Sequence, residues 1–379
     1  MPPNHRILHI CNDFAGSKVH SNLVHKLDDM GLRQAVYCPV RQKDLLGRNR
    51  FESERTDIAY SFVIKPWYKF CYYHKRRMLY QDMKRHISLA DVSLIHASTL
   101  FSDGGLAYNA HREFGIPYVV AVRSTDVDDF GRLMPHTWPS ARRILMAAER
   151  IYFISEALRR EFKSLPWVHS LWKKIRDKCI LRPKGIDDFW LQHVRREQPR
   201  GQGIIYLGEL LHRKNIVRLI EAVQALREES PFADLTLTLI GKQKGDKPTE
   251  EAMRLNRDFV VYHEPIYDKP MLMDYLRRAA LFAMPSWDET FGVVYVEALS
   301  QNLPILYSRG TGVDGMFGEQ RPVGVGVESH SVEQIREALR EMLTHPERYS
   351  NAQVDFSRFE WSGIAESYLK DYVEILSSD

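Results

Sequence analysis

The chain has 379 residues, 44% of them hydrophobic and 27% charged. That balance excludes disordered and collagen-like sequence, and the length points to two domains rather than one. The net charge of +4 is unevenly spread: residues 1–190 carry 31 Lys+Arg against 20 Asp+Glu, and the remainder 22 against 29. Halves of opposite sign imply different partners, an anionic one for the first.

Taken in chain order, Met1-Pro2-Pro3-Asn4-His5-Arg6 leads straight into an apolar stretch with no signal-peptide core, so a cytoplasmic location is expected. No apolar run approaches the roughly 18 residues of a membrane span. Residues 7–11 predict a strand, followed by a loop with Gly16 and a helix over 20–30. Further strands are predicted at 35–38, 92–96, 118–122 and 151–154, then at 203–207, 235–240, 260–263, 281–284 and 304–307. Between them lie helical patterns such as 216–228, with Ile216, Leu219, Ile220, Val223 and Leu226 at helical spacing. This alternation is that of βα units around parallel sheets. A polar stretch with Pro and Gly, 187–203, marks the boundary, giving domains 1–190 and 191–359. Such sheets bind ligands at the carboxyl ends of their strands, so the cleft between the domains is the expected site. Cys11, Cys38, Cys71 and Cys179 are scattered, which predicts free thiols rather than a zinc site or disulfides.

The most informative stretch is Pro285-Ser286-Trp287-Asp288-Glu289-Thr290-Phe291-Gly292-Val293-Val294-Tyr295-Val296-Glu297. Eight residues at about 1.5 Å each put the Glu289 and Glu297 carboxylates about 12 Å apart, too far to grip one group. They suit a ligand with two hydroxyl-bearing ends. Free N–H groups at Phe291, Gly292 and Val293, with the helix dipole, suit a diphosphate between them. The bland alternative is a pair of solvated helix carboxylates.

This block resembles the Glu-x7-Glu signature of the retaining GT-B glycosyltransferases, family 4. Asn302-Leu303-Pro304-Ile305 resembles the family's Gly-Leu-Pro-Val-Val strand. The run from Tyr206 to Asn215, with Gly208 and Lys214, resembles its Val-Gly-Arg-Leu…Lys-Gly loop. Residues 200–379 carry the likeness well and 1–190 loosely. It implies an α/β GT-B fold of two facing Rossmann-like domains, the first for the acceptor, the second for the donor. The helix at 360–379 is then expected to cross back to the first domain. Lys214 takes the family's phosphate-neutralising place. Glu209 stands where the family has an arginine, leaving Arg213, and secondarily Arg309, as substitute cations. Gly16 and Gly241 match the family's glycine turns singly. Thr290 belongs to the donor loop.

Arg123-Ser124-Thr125-Asp126 stands where relatives have His-Gly-Thr-Asp. A permanent guanidinium cannot be a general base, so Arg123, if it faces the reaction centre, is electrostatic or binds acceptor, with Asp126 orienting it or an acceptor hydroxyl; a local loop-shaping pair is the plain alternative. Asp126-Val127-Asp128 also matches the metal-binding Asp-x-Asp of the other glycosyltransferase fold, in the wrong half. His96 and Asp103 are placed on the acceptor side, although a strand-end histidine is more often structural.

Residues 65–85 hold seven Lys/Arg (Lys65, Lys69, Lys75, Arg76, Arg77, Lys84, Arg85) and six aromatics (Trp67, Tyr68, Phe70, Tyr72, Tyr73, Tyr80). Residues 159–178 add cations with Trp167 and Trp172. This composition suits an anionic membrane surface on the cytoplasmic side, the plain alternative being a solvated helix face with buried aromatics. No nucleic-acid motif accompanies it.

The expected reaction is transfer from a nucleoside-diphosphate sugar to a saccharide or lipid-linked saccharide, retaining configuration and needing no metal or cofactor. It would serve surface polysaccharide or glycan synthesis. Two alternatives differ in observable ways: a nucleotide-sugar 2-epimerase converts donor without acceptor, and a non-catalytic saccharide-binding relative releases no nucleotide. A dinucleotide oxidoreductase is disfavoured, because no Gly-x-Gly-x-x-Gly follows the first strand.

Overall fold

The structure is a computed structural model and describes residues 5–65, 68, 71–196, 201–318 and 322–377. The chain forms two compact units. The first comprises Met1–Ile154, Leu158–Gly185 and Trp361–Asp379; the second Ser155–Ala157 and Ile186–Glu360.

The first unit holds a seven-stranded parallel sheet in the order β3-β2-β1-β4-β5-β6-β7. Its strands are β1 (Arg6–Ile10), β2 (Arg33–Pro39), β3 (Thr56–Ser61), β4 (Val92–Ala97), β5 (Tyr118–Val122), β6 (Arg150–Phe153) and β7 (Cys179–Leu181). The second unit holds six, in the order β10-β9-β8-β11-β12-β13. These are β8 (Ile204–Leu207), β9 (Leu237–Ile240), β10 (Val260–His263), β11 (Leu281–Met284), β12 (Ile305–Ser308) and β13 (Gly324–Val327). Register runs Leu8 opposite Ala35 in the first sheet and Tyr206 opposite Leu239 in the second. Strand order reverses between β1 and β4, and again between β8 and β11. Those reversals are where open α/β sheets take ligands.

Central strands are continuous apolar runs because helices cover both faces. Every residue of β5, β8 and β11 is buried. Strands β3, β7 and β13 are absent from the sequence reading. All three lie at sheet edges and are largely half-exposed, so their apolar signal is diluted. In β13 two glycines weaken it further. Gly324 is there because a Cβ would sit 1.8 Å from the Ile305 carbonyl oxygen.

Helix Lys18–Asp29 starts at Ser17, whose Oγ accepts the Val19 N–H at 3.4 Å. Helix Ile216–Arg227 buries all five residues of its predicted stripe. The terminal helix Trp361–Leu376 buries Ile364, Ala365, Tyr368, Tyr372 and Ile375 against Ile7, Leu94, Val119, Ala121 and Tyr152 of the first sheet. Asp371 fastens it there: its carboxylate accepts from the Tyr152 hydroxyl at 2.9 Å and from Arg182 at 2.7 Å.

The basic segment 65–85 is only partly a free surface. Tyr68, Tyr72 and Tyr80 are buried, and Lys84 pairs with Glu113 at 2.8 Å. Tyr73, Arg77 and Arg85 are exposed. Trp67, Lys69 and Phe70 lie outside the described residues. In the second basic stretch Trp167 is buried, while Lys173 and Lys174 are exposed. Among the described residues no helix is long and apolar enough to cross a membrane.

Candidate functional site

In the second unit, Gly208 follows β8 with φ +148° and Gly241 follows β9 with φ +157°. A Cβ on Gly241 would lie 1.7 Å from the Gly208 carbonyl oxygen, so the two strand ends approach backbone to backbone. Glu209 pairs with Lys244 at 3.0 Å. The acid standing in the place of the family's arginine is therefore offset by a lysine from the loop after β9.

A 3₁₀ turn, His212–Lys214, ends at Asn215 with φ +60°. The Asn215 amide donates to Pro285 O at 3.0 Å and Ser329 O at 2.6 Å, which pins the turn against the loop after β11. Lys214 is thereby buried, with its Nζ 2.5 Å from Glu289 Oε2. Arg213 is exposed and donates to the Asp288 carbonyl at 3.3 Å.

The Glu289 carbonyl accepts the Gly312 N–H at 2.6 Å, and the Thr290 carbonyl accepts from the Ser155 hydroxyl at 3.1 Å. Phe291 is buried near Phe359. Gly292, φ +73°, opens helix Val293–Ser300 with no side-chain cap; the Tyr295 N–H donates to Gly292 O at 3.0 Å, while the N–H groups of Val293 and Val294 precede the first intrahelical acceptor. A Cβ at 292 would meet the Tyr295 ring at 2.6 Å. Glu297 lies within this helix and takes a hydrogen bond from Trp190. Burial pushes its carboxyl up to about 7, Asp187 adds to the rise, and Lys269 opposes it. Among the described residues Ser286 Oγ, Trp287 Nε1 and Ser308 Oγ are buried without partners, next to β11 and at the end of β12. Buried polar atoms are normally bonded, and these three are exceptions.

In the first unit, the N–H groups of Gly16 and Ser17 both donate to the Asp13 carbonyl at 3.0 Å, closing the turn after β1. Arg123 follows β5, its Nε donating to Ser98 O at 3.1 Å. The Asp126 carboxylate accepts three backbone N–H groups: Leu100 at 3.0 Å, Phe101 at 3.1 Å and Arg123 at 2.9 Å. Burial lifts it to about 6 against the pull of those amides. Asp126 thus knots the loops after β4 and β5 and holds Arg123 through its backbone. Asp128 pairs instead with Arg132 at 3.1 Å.

His96 is placed in the core, beneath the terminal helix. Its Nδ1 lies 2.6 Å from the Tyr372 hydroxyl and its ring 5.4 Å from that of His9, and burial holds it well below the usual histidine range. Asp103 is buried at the start of helix Asp103–Phe114.

Several neighbours escaped sequence reasoning. His20 lies in the electrostatic reach of both Arg123 and Lys184, and Lys244, Trp190 and Lys269 stand near the donor-side acids. None carries a local motif.

Two family models match the two units. The model described as glycosyl transferases group 1 matches residues 192–354, and the glycosyl transferase 4-like domain matches residues 16–169. The chain belongs to the family 4 type of glycosyltransferases and has the GT-B fold. It is 26% identical over 355 residues to TuaC of Bacillus subtilis, a glycosyltransferase named for teichuronic acid biosynthesis, covering 88% of this chain and 85% of that one. It is 26% identical over 211 residues to the D-inositol 3-phosphate glycosyltransferase of an Arthrobacter species (strain FB24), covering 52% of this chain and 50% of that protein. The sucrose-phosphate synthase of Thermosynechococcus elongatus shares the fold, with a TM-score of 0.72 at 17% identity over 99% of this chain and 100% of that one.

Proposed function

We propose that the chain moves a hexosyl group from a nucleoside-diphosphate sugar to a saccharide or lipid-linked saccharide, retaining anomeric configuration, in surface polysaccharide or glycan synthesis. The observation that carries this reading is the largely buried Lys214–Glu289 pair beside the uncapped helix start at Gly292. In it Lys214 acts as a point charge on the departing diphosphate, helped by Arg213 and the N–H groups of Phe291, Gly292 and Val293. Glu289 accepts hydrogen bonds from the sugar and stabilises its oxocarbenium-like charge, and Glu297 accepts from the ribose. The departing phosphate oxygen deprotonates the acceptor, so Glu289 is not a nucleophile and no metal is required. Gly208 and Gly241 let the donor approach backbone. The first unit takes the acceptor, with Arg123 supplying fixed positive charge. Its exposed cations also suit reversible contact with an anionic membrane.

The test is a thermal-shift panel of UDP-, GDP- and ADP-sugars, followed by turnover of Glu289→Gln on the donor selected. One donor class should raise the melting temperature, and the variant should lose roughly 100-fold or more in rate. Because Gln no longer neutralises Lys214, nucleotide affinity should hold or rise. Near wild-type turnover would refute the assignment.

A further inference from the structure

The second unit carries a small pocket beside the amino end of β13, with a volume of about 140 Å³. Its apolar walls are Phe317, Val323, Val354 and Phe359. A cavity of that size and lining holds one six-membered ring. The Phe317 and Phe359 rings stand 6.2 Å apart, tilted by 51°, and form one corner. None of the lining residues belongs to the donor-side site; Phe359 divides the two, its ring 6.2 Å from that of Phe291. Polar contacts fix the walls. Arg196 donates to the carbonyls of Asn351 at 2.5 Å, Ala352 at 3.0 Å and Val354 at 3.0 Å. The Ser350 N–H donates to Pro322 O at 3.2 Å, which brings this loop against Val323, and Phe359 O accepts the Ile186 N–H at 2.9 Å. The pocket is therefore formed before any ligand arrives.

Its rim is polar. Asp355 opens the 3₁₀ turn Phe356–Phe359, its Oδ1 accepting the Ser357 N–H at 3.0 Å and the Ser357 hydroxyl at 2.6 Å. That turn presents Arg358 to the pocket, and Gln353 lines it from the neighbouring loop. The side chains of Arg358 and Gln353 make no hydrogen bond or ion pair among the described residues, although Asp355 stands only three positions before the arginine. Arg358 is exposed, so its guanidinium is hydrated in the free protein and exchanges water for an anion at little cost. The lining thus combines an apolar ring site with one unpaired cation and one unpaired amide at its mouth. A saccharide would press hydroxyls against phenylalanine and valine, where they find no partner. A neutral hydrocarbon would leave the arginine unused. An aromatic ring carrying an anionic group suits both parts.

We propose that this pocket binds a single-ring aromatic anion, with the ring among Phe317, Val323, Val354 and Phe359 and the carboxylate or phosphate on Arg358 and Gln353. The site is separate from the glycosyl-transfer reading and does not depend on it. Isothermal titration of the full chain with benzoate, phenyl phosphate, benzyl alcohol and acetate tests it, with and without an excess of UDP, GDP and ADP. At least one aromatic anion should bind about tenfold tighter than benzyl alcohol, and which one does so distinguishes carboxylate from phosphate recognition. Acetate should not bind, and the nucleotides should leave the aromatic anion in place. Arg358→Gln should lose the preference for the anion with its melting temperature unchanged, because that side chain has no partner to lose. Val354→Phe, which fills the ring space, should abolish binding of the aromatic anion. Absence of binding by both aromatic anions, equal binding of benzyl alcohol, displacement by the nucleotides, or full preference in Arg358→Gln overturns the inference.

Discussion

At the scale of single residues, charge neutralisation and burial set what the donor-side acids can do. Glu289 and Glu297 stand eight residues apart in unlike surroundings: one faces an ammonium 2.5 Å away, the other is half-buried beside Trp190. The carboxyl of Glu297 is raised from 4.5 to about 7 chiefly by burial. A raised carboxyl stabilises the fold fully below its unfolded value, and that contribution is lost as pH rises through about 7. Ligand binding runs the other way if Glu297 accepts ribose hydroxyls, because only the ionised form is purely an acceptor. Nucleotide affinity should therefore strengthen between pH 6 and 8 in the wild type and be flat in Glu297→Gln. Titration calorimetry across that range checks this, and identical profiles would remove Glu297 from the ribose. Glu289 and Glu297 were legible because they sit in one motif, and Lys214 because it sits in another, the run from Tyr206 to Asn215. Lys244, Trp190 and Lys269 were not, because the fold alone brings them there from other elements.

At the scale of elements, the apolar code reads well wherever an element is covered and poorly at the rim. The stripe of helix Ile216–Arg227 is as predicted, and β5 reads as an unbroken apolar run. Strand β7, three half-buried residues at an edge, has no such run to read. His96 shows the converse difficulty: a polar residue at a strand end looks functional until a helix nearly 280 residues later, bringing Tyr372, covers it. That helix is tied down by polar as well as apolar contacts. Asp371 is 8% and Arg182 20% exposed, and Tyr152 shares the same carboxylate oxygen. Removing one partner of a buried pair strands the other, at a cost of about 3 kcal/mol. Asp371→Ala should therefore speed amide exchange across 361–376. Asp371→Asn, which can still accept from Tyr152, should do so less. Unchanged exchange in the alanine variant would show that the apolar stripe holds the helix unaided.

At the scale of the whole molecule, the uneven charge is the feature that sequence shows most directly and structure most revises. The mixture of aromatics and cations at 65–85 suggests rings inserted among lipid headgroups. Helical spacing instead buries Tyr72, Leu79, Tyr80 and Met83 together, and spends Lys84 on Glu113. What stays exposed is mostly charge: Arg77, Arg85, Lys173 and Lys174, with Tyr73 the exposed tyrosine among the helix's described residues. Each cation near an anionic surface contributes about 1 kcal/mol, and that attraction fades beyond a Debye length of about 10 Å at 0.1 M salt. Membrane contact of this kind would be electrostatic and shallow. The chain should then sediment with phosphatidylserine-containing vesicles at 20 mM salt and be released at about 0.5 M. Lys173→Glu with Lys174→Glu should weaken the low-salt binding several-fold, whereas Tyr73→Ala should change it little. Binding that persists at high salt and collapses on Tyr73→Ala would mean that ring insertion, not charge, holds the protein to the bilayer.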